Sequence, residues 1–62
     1  MRAKWSKQQR DWMILKDGPH LLGEVREAFG VWIGTVWESR YMMVSKSRIV
    51  VMRAIRKQVS RG

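Results

Sequence analysis

No cysteine occurs in this 62-residue chain, and its one histidine, His20, stands among five scattered acids that form no ligand cluster. Neither a disulfide nor a bound metal is therefore expected to brace the fold, and these are the usual supports of very small domains. A chain of this length buries only about 60% of the surface that its unfolded form exposes. The core has to come from apolar side chains alone, and four tryptophans and five methionines supply much of the volume. There is room for one core, so residues 1–62 are read as a single domain, with residues 1–4 expected to fray.

Apolar residues recurring at three- and four-residue intervals predict helices. Ser6 can cap a first helix, with Gln9 completing a capping box, and Trp12, Met13 and Leu15 form its inner side as far as Lys16. Asp17-Gly18-Pro19 then stops one helix and starts another. In the second, Leu21, Leu22, Val25, Ala28 and Phe29 share a face, while Glu24, Arg26 and Glu27 look outward. Gly30 supplies a left-handed closing residue, and Val31, Trp32, Ile33, Val36 and Trp37 make a short third helix. Residues 41–44 could alternate as a strand, but with no second alternating segment to pair with they are assigned to a loop over residues 39–47. Ser45 or Ser47 caps a last helix that runs to about Ser60 and turns Val51, Met52, Ile55 and Val59 inward. The fold class that follows is all-α: three or four helices with a helix-turn-helix-like corner at Gly30, and with Phe29 and Ile55 in the core.

Charge points to a partner. The net charge is +8; residues 11–39 hold all five acids against two basic groups, whereas residues 40–62 hold seven basic groups and no acid. A folded domain this basic carries the footprint of a polyanion binder, and duplex DNA is the expected partner. The candidate DNA-binding residues are Arg40, Ser45, Lys46, Ser47, Arg48, Arg53, Arg56 and Lys57. Arg56, Lys57 and Arg61 also suit the negative end of a helix dipole. No apolar run reaches the ~18 residues of a membrane span and no signal-peptide stretch is present, so a cytoplasmic location without a membrane partner is expected.

Catalysis finds no support. Ser39, Ser45 and Ser47 have no neighbouring base, no glycine-rich phosphate loop occurs, and Glu24 and Glu27 read as a solvated pair one helical turn apart. No enzyme activity, metal or cofactor is expected. The competing reading is a small phage-type modulator that docks on a host protein through Trp32, Trp37, Tyr41, Met42 and Met43. So many aromatic side chains in so small a monomer also suggest a homodimer or a covering partner.

Residues 25–57 resemble the first half of the C-terminal, Trp-repressor-like DNA-binding domain of the bacterial replication initiator DnaA. The likeness lies in Val25, Phe29-Gly30-Val31, Ile33 and Val36, then Arg40, Val44 and Lys46, then Arg48-Ile49-Val50-Val51-Met52. It implies a helical fold and DNA contacts from a basic loop at Arg40, Lys46 and Arg48, in transcription or replication control. The part of that family's domain that reads its own DNA box has no counterpart in this chain. Residues 22–41 are also similar to the general repressor-type helix-turn-helix, in which Thr35, Trp37, Glu38 and Arg40 would form the groove-facing side of a recognition helix.

Overall fold

The computed structural model describes residues 2–61, the side chain of Arg61 excepted. Instead of an all-α domain it contains five antiparallel strands followed by one helix. The strands are β1 (Lys4–Gln9), β2 (Trp12–Asp17), β3 (His20–Ala28), β4 (Val31–Val36) and β5 (Tyr41–Ser45), and the helix is α1 (Arg48–Arg61). They form a meander in which each strand pairs with the next in sequence.

The corrections have a common cause. The first expected helix is the β1–β2 hairpin, the second is β3, the third is β4, and the expected loop contains β5. Val25, Val31, Trp32, Ile33, Thr35 and Val36 are β-branched or aromatic, side chains that sit more easily on a pleated surface than on a helix. The two breaks read as helix ends are hairpin turns, Asp17 pairing with His20 and Ala28 with Val31, and a third turn interrupts the first expected helix where Gln9 pairs with Trp12; each loop has two residues. Gly30 is thus the second residue of a tight turn and not a helix-turn-helix corner. Residues 25–45 accordingly do not form the helical fold implied by the likeness to the replication initiator domain. In the segment expected to fray, Ala3 is buried and Lys4 pairs with Lys16; Met1 lies outside the described residues.

The last helix agrees with its sequence reading. Ser47 caps it, its Oγ accepting from the Val50 N–H at 3.4 Å, and the Ser45 Oγ accepts from the Ser47 N–H at 3.1 Å. Val51, Ile55 and Val59 follow at four-residue steps, so one stripe of the helix is apolar and lies on the sheet. With Ala3, Leu15, Val25 and Val36 they form the core, flanked by the partly buried Trp5, Met13, Trp32, Tyr41 and Met52. Close approach of helix to sheet depends on two glycines. A Cβ on Gly34 would lie 2.5 Å from Val51 Cγ1 and 2.6 Å from Ile55 Cγ1, and one on Gly23 would lie 3.2 Å from Ile55 Cγ2 as well as 2.6 Å from the Thr35 carbonyl oxygen of the adjacent strand. Ile55 is expected in the core and is fully buried, whereas Phe29, also expected there, is fully exposed at a hairpin tip.

Candidate nucleic-acid interface

The strand register divides the side chains between two faces. Leu15, Gly23 and Val36 stand in one row and Met13, Val25, Gly34 and Met43 in the next, both under the helix. The opposite face carries Ile14, Glu24, Thr35 and Met42 in one row, and Trp12, Arg26, Ile33 and Val44 in another. Among the described residues, this open face carries a polar group built around Trp12. The Trp12 indole N–H donates to Glu24 Oε1 at 3.0 Å, the Arg26 guanidinium carbon lies 4.3 Å from the centre of the Trp12 ring, and Arg26 Nε lies 3.8 Å from Glu24 Oε1. The cation, the ring and the carboxylate hold one another in place, which leaves Glu24 and Arg26 partly neutralised.

The helix presents a different surface. With Val51, Ile55 and Val59 turned inward, Arg48, Arg53, Arg56 and Lys57 are exposed, and the acid-free stretch begins well before the helix, at Ser39. Lys46 and Arg48 stand at its start, where the Arg48 guanidinium carbon lies 5.8 Å from the centre of the Trp32 ring. Arg56 is partly committed, donating from Nη2 to the Ala3 carbonyl at 2.8 Å and so tying the helix to the beginning of β1. Ile49 and Val50 are exposed on the first turn.

Of the DNA-binding residues expected from sequence, Lys46, Arg48, Arg53, Arg56 and Lys57 lie along the helix and its approach. Arg40 does not join them: it sits in the turn between β4 and β5, at the other end of β5 from Lys46, with a φ of 59°. Ser45 and Ser47 point their hydroxyl oxygens at backbone N–H groups, so both serve as caps. The alternative recognition helix is not formed, since Thr35 is on β4 and Trp37 and Glu38 lie in the turn after it. The expected protein-docking set is split as well. Trp32, Tyr41 and Met43 are on the helix side, Met42 is on the open face, and Trp37 is in the turn.

Among the described residues no group of three or more histidines, cysteines or acids is placed to hold a metal ion, and no helix is long and apolar enough to cross a membrane. Among known protein families, curated proteins and solved structures no match to the chain is found. Its chemistry therefore has to be read from the two faces just described.

Proposed function

We propose that the chain is a small DNA-binding protein, with a binding rather than a catalytic role, and that it holds duplex DNA through the outer face of α1 and the residues leading into it. The observation that carries this reading is the exposure of Arg53 and Lys57 on the side of the helix turned away from the sheet, with Arg56 on its flank and Lys46 and Arg48 exposed at its start, in a segment without a single acid. A solvated helix kept soluble by charge would tolerate both signs, and mixed signs would add intrahelical pairs. A surface of one sign has its best counterpart in a row of phosphates, whose condensed counterions are released on contact. Contacts of this kind fix position on the backbone and carry little sequence information, so the affinity is expected to be broad across sequences.

Titration of a labelled duplex at several salt concentrations tests the proposal. Engaging about four or five phosphates gives a slope of log K against log salt near −4, and Arg53→Ala or Lys57→Ala should flatten it by about one. Arg40→Ala, at the far end of β5, should leave the slope unchanged. Absence of binding at low salt would sink the proposal.

A second reading, docking on a protein, is favoured by the open sheet face, where Met42 and Val44 are exposed at 64% and 51%. It becomes the better account if duplex DNA does not bind.

A further inference from the structure

The β3–β4 hairpin carries a residue that folding alone does not account for. Phe29 and Gly30 form its two-residue loop, with φ values of 54° and 79°. Two positive values define the turn whose twist matches paired strands, and the residues that adopt it with least strain are glycine, asparagine and aspartate. A phenylalanine there is strained, because its Cβ crowds the backbone in the left-handed region. It also has no apolar contact in return, since its side chain is fully exposed. Both effects oppose this side chain at this position in the isolated protein, so its use lies in contact with something else.

The surroundings indicate what. The hairpin overhangs both neighbours: β2 ends its pairing at Trp12 opposite Arg26, and β5 ends at Ser45 opposite Trp32. The Glu27 N–H still donates to the Asp11 carbonyl in the β1–β2 turn at 2.9 Å, so Phe29 stands two residues, about 7 Å of strand, beyond the last backbone bond on that side. Around the base of this prong are Arg10 on one side and Lys46 and Arg48 on the other, against the two acids Asp11 and Glu27, while Arg26 is engaged with Trp12 and Glu24. The prong thus rises beside the end of the cationic helix surface and among further cations.

We infer that Phe29 is a wedge that enters between base steps of duplex DNA, with Lys46, Arg48 and Arg10 set against the flanking phosphates. The inference rests on the DNA-binding role proposed above. Apolar side chains inserted in this way unstack a step and bend the duplex, and flexible pyrimidine–purine steps yield most easily. The wedge therefore supplies what phosphate contacts cannot, a preference for deformable sequence.

The test compares the intact protein with Phe29→Asn on duplexes that carry or lack a central TA step and are labelled at both ends to report bending by energy transfer. Asparagine accepts the left-handed conformation, so the variant should melt at or above the temperature of the parent, and a binding defect is then not a folding defect. The expected result is a loss of about tenfold in affinity, loss of the bend and of the preference for the TA duplex, and an unchanged salt slope. If the parent binds and Phe29→Asn binds and bends DNA equally well, the wedge is overturned while phosphate binding by the helix stands. If the parent fails to bind either duplex at low salt, both proposals fall.

Discussion

The two faces of the sheet are built from the same five strands, yet they bury their side chains in different ways. Under the helix, Gly23 and Gly34 remove side chains from the middle of the sheet, and Val51 and Ile55 descend into the space. Depth there comes from the backbones approaching each other. On the open face no helix covers the sheet, and Ile14 is buried on it beside Ser6 and the Trp12, Glu24 and Arg26 group. The difference teaches that one face is fixed by shape and the other by local pairing. Substitutions should be costly on the first and mild on the second.

The largest effect is expected from Ile55→Ala. It empties the trough above both glycines and should cost ~2–5 kcal/mol, enough to unfold much of so small a domain in a thermal or urea melt. Gly34→Ala is the sharper probe, because it adds one carbon where no space exists. A loss of about 1–3 kcal/mol is expected, with the helix displaced from the sheet; a melt identical to that of the parent would show that the helix does not sit as close as described. On the open face, Trp12→Phe keeps an aromatic ring under Arg26 but loses the indole N–H and the second ring, and should cost only about 0.5–1.5 kcal/mol. Val44→Thr exchanges one half-exposed β-branched side chain for another, and its change should stay within about 0.5 kcal/mol. Reversal of this order, with the open-face variants the more damaging, would mean that the two faces have been assigned the wrong roles.

What the sequence revealed follows the same division. The helix was legible because Ser47 caps it and Val51, Ile55 and Val59 repeat at a strict four-residue step, with no competing signal. The sheet was not, because both of its faces carry apolar side chains. Ile14-Leu15, Trp32-Ile33 and Met42-Met43 are adjacent pairs that point to opposite sides, so alternation between apolar and polar residues is blurred. In β3 the register shift at Leu15/Lys16 leaves Leu22 as an extra residue, which gives Leu21, Leu22 and Val25 a helix-like spacing by accident. The turns were a usable signal: two-residue loops at Arg10-Asp11, Gly18-Pro19 and Phe29-Gly30, about ten residues apart, are the punctuation of a meander. The cationic helix face was legible from the absence of acids after Glu38. The prong was not, since an apolar residue beside a glycine reads equally well as the end of a buried helix face.

The order of the strands has a kinetic consequence. Because every strand bonds only to the strand next to it in sequence, the sheet can assemble by successive closure of short loops, and only the helix must reach back across the chain to Leu15, Val25 and the Ala3 carbonyl. Local closures of this kind are fast, and distant ones carry a larger entropic cost before they gain anything. The hairpins should therefore be largely formed at the barrier to folding, with the helix docking after it. A substitution such as Ile55→Val would then speed unfolding and leave the folding rate nearly unchanged, whereas Gly30→Ala, which disturbs a turn, would slow folding itself. Resistance of the molecule to unfolding would thus be set by how long its last fourteen-residue element stays seated on the two glycines.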